Sequence, residues 1–353
     1  MTPDDARTLL NKAAPQLTEL EYETWNFGDS TGFEAMLRAS EALGRPELEQ
    51  FAYGFFRAWA TRAEPFERLD CTAPGLAIVL AAEASGNAAL LAEAVRLATY
   101  LISRPTLHGV YETWERSPLM EPYGGAVLPD DEKILLDASP PGIFVDCLHF
   151  DPPFFAGLAR VTGDEAWAKE ALTQARGYIA TLQQDSGLFD HFALRGVPGR
   201  TFGPGWGRGQ GWALLGMLDV IEQLELGSDH DISRAAVALI DQMVTLQRPD
   251  GHWAVVITDP DSGDEPSTAA FMAAGFLRAH RMGLITGEGY LQSVDKALDA
   301  LGRDVDDQGL LAGVSRAVMA CTTSSHYAHV PRGFNVPWGQ GPLVLALCEA
   351  VNR

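Results

Sequence analysis

Apolar residues recur at three- and four-residue spacing through one segment after another of this chain, the signature of helices that bury one face. The pattern predicts helices over residues 30–41, 46–62, 88–101, 165–182, 211–224, 232–246, 268–282, 290–301 and 341–351. No stretch shows the sustained alternation that a half-buried sheet requires, and residues 253–258 are the best candidate for a short strand. Gly44, Gly86, Gly163, Gly227 and Gly287 each close one helix just before a polar or acidic residue opens the next. That punctuation describes αα-hairpins with short turns on one face. The alternate connections, 103–143, 183–211 and 247–267, are longer and richer in glycine, proline and aromatic residues. An all-α toroid of helical hairpins follows, with function at the loop-rich mouth. An open solenoid is the competitor, but neither chain end carries an obvious capping repeat, which favours closure. No linker, low-complexity tract or charge block interrupts residues 1–353, so a single domain is expected.

Composition narrows the picture. Hydrophobic residues make up 46% and charged residues 21%, ordinary for a globular chain with a sizeable core. No apolar run approaches the roughly 20 residues that span a bilayer, so no membrane is expected. The N-terminus is acidic and polar, so no Sec-type signal is expected and a cytoplasmic location is. Four scattered cysteines form no CxxC pair, which fits reduced thiols. A net charge of −21 argues against a nucleic-acid partner, whose phosphates need a basic face. The same charge works against an anionic ligand, unless a local cluster such as Arg208, Lys133 and His191 overrides a mean field screened within about 8–10 Å.

The chemistry-bearing stretches lie in the long connections. Trp206-Gly207-Arg208-Gly209-Gln210-Gly211-Trp212 brackets an arginine with glycines and indoles. Glycines allow a backbone close approach to a ligand, indoles stack on sugar rings, and a guanidinium forks onto a carboxylate. These are the parts of a pocket for an acidic sugar, although Trp212, at a helix start, fits core packing equally well. Asp146 lies in Ile143-Phe144-Val145-Asp146-Cys147-Leu148, where apolar neighbours disfavour its charge and let it hold a proton. The bland alternative is a helix N-cap, a role that Asp151, followed by Pro152, fits better. Asp70, ahead of Pro74-Gly75, is balanced between a cap and a second carboxylate acting on Asp146. His191 is a loop histidine whose place among the long connections raises its interest. There is no HExxH, G-x-S-x-G, Walker loop or dinucleotide fingerprint, and the histidines have no metal-ligand spacing beyond His326 and His329, which lack a carboxylate nearby.

On these residues the chain resembles the unsaturated glycuronyl hydrolases of glycoside hydrolase family 105 (unsaturated rhamnogalacturonyl hydrolases) and, more distantly, family 88. The likeness runs from about Phe66 to the C-terminus. Its anchors are Leu69-Asp70 with Pro74-Gly75, Phe144-Val145-Asp146, Gly187-Leu188-Phe189-Asp190-His191, the Trp206–Trp212 element, Leu246-Gln247-Arg248-Pro249-Asp250-Gly251 and Trp338-Gly339-Gln340-Gly341-Pro342. The resemblance implies an (α/α)6 barrel, no metal or organic cofactor, and an oligosaccharide with a 4,5-unsaturated uronic acid at its non-reducing end. Asp146 would protonate C4 of the enol ether and then deprotonate a water that adds to C5, after which the hemiketal opens and the aglycone leaves. Asp70 matches the family's second carboxylate; His191, Trp206, Arg208 and Trp212 match sugar-binding positions, Lys133 a pocket lysine, and Phe144 the place of a frequent tryptophan. Gln210, Phe144 and residues 322–336 depart from the family pattern, which bears on the aglycone rather than the reaction. Two other readings remain: an epimerase with paired histidine bases, and a non-catalytic sugar-binding toroid. Monomer and homodimer both fit the sequence.

Overall fold

The alternation of short and long connections builds two concentric layers of helices. The computed structural model describes residues 1–22, 28–61, 66 and 75–353. Its helices are α1 (Pro3–Gln16), α2 (Asp29–Leu43), α3 (Pro46–Ala60), α4 (Gly75–Ser85), α5 (Ala88–Ile102), α6 (Asp130–Asp137), α7 (Asp151–Thr162), α8 (Glu165–Leu182), α9 (Gly207–Gln223), α10 (Asp231–Thr245), α11 (Pro266–Arg281), α12 (Glu288–Asp304), α13 (Ser325–Ala328) and α14 (Pro337–Val351). Helices α2, α4, α7, α9, α11 and α14 each pack on the next, and α14 returns to α2. That last contact closes the ring. The architecture is the (α/α)6 barrel, and the open solenoid is excluded.

The two layers have different sequences for a physical reason. An inner helix meets protein on every side, and α9 is accordingly buried at every residue from Gly207 to Ile221. An outer helix buries one stripe, as α10 does with Ile232, Ala235, Ala236, Leu239, Ile240 and Met243. Periodicity therefore finds the outer helices readily. It misses α4, whose Gly-Leu-Ala-Ile-Val-Leu-Ala-Ala core is apolar all round.

Inner helices run into outer ones through tight turns. Gly44, Gly86 and Gly163 take the left-handed conformation there (φ 66°, 62° and 71°). Asn87 and Asp164 then accept the first free backbone N–H groups of α5 and α8. Two of the expected turn glycines are displaced: Glu225 (φ 51°) and Gly283 (φ 73°) turn the chain after α9 and α11, not Gly227 and Gly287. Asp151 is the first residue of α7 rather than its cap, which is Phe150.

Outer helices return to inner ones through the long connections, which carry short strands: β1 (Thr106–Leu107), β2 (Val110–Tyr111), β3 (Gly142–Phe144), β4 (Phe192–Leu194), β5 (Thr201–Phe202), β6 (Ala254–Val256) and β7 (Asp259–Asp264). The anticipated strand is β6, paired antiparallel with β7. The three-stranded sheet β3–β4–β5 ties two long connections together, with Phe144 opposite Phe192 and Phe192 opposite Phe202. Those rings stack at 5.3 and 5.1 Å between centroids, a small second core beneath the mouth. Strands of two or three residues are too short to show alternation. Among the described residues, no helix is long and apolar enough to cross a membrane.

Candidate active site

The sheet sets the position of Asp146. Immediately after β3 the chain makes a 3-10 turn, Val145–Leu148, and the Val145 N–H donates to His191 O at 2.8 Å. His191 N–H in turn donates to Phe202 O at 2.8 Å. Two residues forty-five positions apart are thus held by the same ladder, and His191 Nε2 lies 3.2 Å from Asp146 Oδ2. Asp146 is only 7% exposed and His191 3%. Beyond His191, its Nδ1 meets the Tyr327 hydroxyl at 2.7 Å. Burial pushes the Tyr327 phenol well above its ordinary range, helped by the charges of Cys321, Asp146 and Asp190, so it keeps its proton. Burial also raises the Asp190 carboxyl, against the opposing bond from the Thr201 hydroxyl.

Trp206 and Arg208 complete the cluster from the start of α9. The Trp206 ring lies 4.4 Å from that of His191, and the Arg208 guanidinium 5.3 Å from Trp206. Burial lowers the Arg208 pKa, opposed by the carboxylates of Glu265 and Asp146. The fork anticipated for a ligand carboxylate is already occupied. One Nη donates to Ser315 Oγ at 2.7 Å and the other to Arg316 O at 3.0 Å, with Glu265 3.6 Å away. Nε alone has no hydrogen-bond partner among the described residues. The glycines of this element also serve a different purpose from close approach to a ligand. They lie inside α9, where an added Cβ would strike Thr268 at Gly207, Trp206 at Gly209 and Phe271 at Gly211 (2.7, 2.8 and 2.4 Å). They exist for helix packing.

The remaining candidates separate. Phe144 belongs to the cluster, edge-on to His191 at 5.6 Å. Trp212 does not: it is fully buried between Phe150 and Phe271, where the core reading of a helix-start tryptophan prevails. Lys133 also stands apart, half-exposed on α6 with its ammonium 3.0 Å from Asp130. Its neighbour Glu132 is the buried residue, bonded by Arg200 and Thr322. Asp70 lies outside the described residues.

A carboxylic acid held by a histidine, beside an indole and a buried arginine at the mouth of an (α/α)6 barrel, can be compared with known proteins. The model of Glycosyl Hydrolase Family 88 matches residues 6–353. The chain belongs to that family. It is 26% identical over 216 residues to the unsaturated rhamnogalacturonyl hydrolase YesR of Bacillus subtilis (60% of this chain, 61% of the relative). It is 28% identical over 181 residues to an unsaturated 3S-rhamnoglycuronyl hydrolase of Alteromonas sp. (47% of this chain, 42% of the relative). The matched stretches therefore span less than two thirds of those curated relatives. Among solved structures, a possible member of the GH105 family from Salmonella enterica superposes with a TM-score of 0.83 at 20% identity, covering 100% of this chain and 95% of the other. The unsaturated glucuronyl hydrolase of Bacillus sp. GL1 gives 0.70 at 18% identity, covering 98% and 96%. At these identities the structural matches carry the fold alone.

Within this family 88 chain, several residues at the site were not legible beforehand. Tyr327, Ser315 and Glu265 come from connections in which no motif marks them. Gln210, noted only as a departure from the family pattern, clamps Phe189 by accepting from its N–H (2.7 Å) and donating to its C=O (2.8 Å), which fixes the approach to His191. A second buried polar cluster lies between inner helices, where Glu34 of α2, Asp219 of α9 and His149 bring one ligand atom each within 4.8 Å of one another. Arg278 is set among these acids, its Nη2 2.5 Å from both Asp219 and Glu222. Burial raises Asp219 to about 6 despite Arg278, whereas Arg278, Arg38 and Arg281 overcome burial to hold Glu222 near 2. The guanidinium already supplies positive charge here, so the cluster reads as an ion network joining α2, α9 and α11.

Proposed function

We propose that this family 88 protein hydrolyses oligosaccharides that carry a 4,5-unsaturated uronic acid at the non-reducing end. The observation that carries the reading is Asp146, buried at the mouth with one carboxylate oxygen against His191 and with Trp206 and Arg208 alongside. The names of the curated relatives support the substrate class. In this reading Asp146 delivers a proton to C4 of the enol ether while charge develops at C5. A water then adds to C5 and gives its proton to the Asp146 carboxylate, restoring the acid. The C5 hemiketal opens, and the anomeric oxygen leaves with the aglycone. No attack at the anomeric carbon is involved, so the separation rule for paired glycosidase carboxylates does not apply. The same carboxyl group thus acts first as acid and then as base, with His191 bonded to one of its oxygens throughout.

The epimerase alternative needs a second histidine base. His326, which feels the charge of His191, is a candidate, but its Nδ1 accepts from Tyr123 N–H (3.2 Å) and its Nε2 faces Met319 O (3.0 Å). Burial lowers it to about 4, and both nitrogens are engaged. Mixing the protein with unsaturated disaccharides tests the reading: a hydrolase of this kind bleaches the ultraviolet absorbance of the double bond. Unchanged absorbance across uronyl substrates would count against it.

A further inference from the structure

We propose that Tyr327 is a positioning residue that fixes the tautomer of His191, so that His191 always presents a proton to Oδ2 of Asp146 and leaves Oδ1 to give and take the catalytic proton. The proposal rests on the hydrolase reading above for its catalytic consequence, but its hydrogen-bond content stands alone.

Tyr327 offers one proton and has two acceptors in reach: His191 Nδ1 at 2.7 Å and Cys321 O at 3.4 Å. Hydroxyl bonds are best near 2.7–2.8 Å, and 3.4 Å lies beyond their usual range. Donation to Nδ1 puts the His191 proton on Nε2, 3.2 Å from Asp146 Oδ2. The reverse arrangement, with Nδ1–H donating to the phenol oxygen, turns a bare Nε2 lone pair toward Asp146. That is tolerable only while Asp146 keeps a proton on Oδ2. The first arrangement suits both forms of the acid, because Oδ2 accepts whether Oδ1 carries a proton or not. A residue that must act as acid and then base needs that direction.

The rest of the molecule holds Tyr327 in place for this. Gly203 (φ 68°) passes so close that an added Cβ would lie 2.4 Å from the Tyr327 hydroxyl and 2.7 Å from His191 Cβ. Tyr327 is 1% exposed. The connection that carries it is pinned by Thr322, which shares Glu132 with Arg200, and by the fully engaged His326 on the same turn. These bonds join residues from three separate long connections and fix the segment that carries the phenol. Asp190, Arg208 and Trp206 also surround the pair, but none of them bonds to Nδ1.

Two measurements decide the assignment. In protein with 15N-labelled histidine, NMR correlation of ring nitrogens with carbon-bound protons should give the Nε2–H tautomer for His191 in the wild type, and a mixture in Tyr327→Phe. In kinetics on an unsaturated disaccharide, Tyr327→Phe should lower kcat by about 10²-fold with little change in KM. In a His191→Asn background the same substitution should cost almost nothing further, because the phenol acts through the histidine. An Nδ1–H tautomer in the wild type overturns the assignment even if the phenylalanine variant does not fold. Losses that multiply in the double variant overturn it too. A wild type inert on every unsaturated substrate sinks the hydrolase reading, while the NMR arm still decides the hydrogen bond.

Discussion

The proposed chemistry begins at a single carboxyl group, that of Asp146. Asp146→Asn is nearly isosteric and keeps the Oδ2 acceptor for His191, so folding should survive while the acid and base roles disappear. We expect turnover to fall by about 10²–10⁴-fold, the usual worth of a positioned general acid–base; steady-state kinetics within tenfold of wild type would remove Asp146 from the mechanism. Arg208→Lys tests a different link. The two Nη groups hold Ser315 and Arg316, so a lysine, which cannot fork, should loosen the 305–336 connection as well as weaken substrate binding. A lower melting temperature together with a higher KM is the expected pair, and unchanged melting would mean that the fork is not structural. The clustering of Asp146, Phe144, His191, Trp206 and Arg208 was legible because their distinctive side chains crowd into two of the long connections and the helix start that follows. Trp212 misled because a helix-start tryptophan reads the same in core and pocket. Lys133 misled because charge sign says nothing about which side of a helix a side chain takes.

Single helices and strands explain how those residues meet. The sheet β3–β4–β5 was illegible in the sequence, since its strands are shorter than any pattern can register, yet it is what brings Asp146 to His191. The inner helices were partly legible: their glycines and all-round apolar runs blur the period that marks their outer partners. Their buried ion network makes a separate prediction. A carboxyl raised in the folded state binds its proton more tightly there than in the unfolded chain, so its contribution is full below the unfolded value and is lost as pH rises through the folded one. For Asp219, raised from 3.8 to about 6, stability should fall across that interval. Glu222, held near 2 from 4.5, works in the opposite sense, contributing above 4.5 and losing its contribution as pH falls toward 2. Urea unfolding at several pH values should show a less negative slope for Asp219→Asn than for wild type between about pH 4 and 6. Parallel curves would mean that Asp219 titrates as it does in the unfolded chain.

Across the whole molecule, ring closure and charge matter most. The hairpin punctuation made the toroid legible, but closure depends on contacts between α2 and α14, three hundred residues apart, which no local pattern encodes. Gly341 shows how close the join is, since an added Cβ there would lie 2.7 Å from the Thr31 backbone on α2. The Gln340 amide ties α14 to α1 and the 305–336 connection by donating to Ala13 O (2.9 Å) and Gly309 O (2.8 Å) and accepting from Leu311 N–H (3.1 Å). The net charge of −21 surrounds a mouth that, in the proposed reaction, admits an anion. Salt screens that repulsion, so KM for an unsaturated uronide should fall as ionic strength rises from about 0.01 to 0.15 M, over which the Debye length shrinks from about 30 to 8 Å. A KM that rises with salt would show that local positive charge governs the approach.

The central claim is that Asp146 protonates C4 and water adds at C5, leaving the anomeric carbon untouched. Running the reaction in deuterium oxide with an unsaturated disaccharide, and reading the released acid by NMR, tests it most directly. The account predicts that absorbance of the double bond vanishes, that one deuterium appears at C4 of the released sugar acid, and that Asp146→Asn yields neither. Release of the aglycone with the double bond intact and no deuterium at C4 would contradict it.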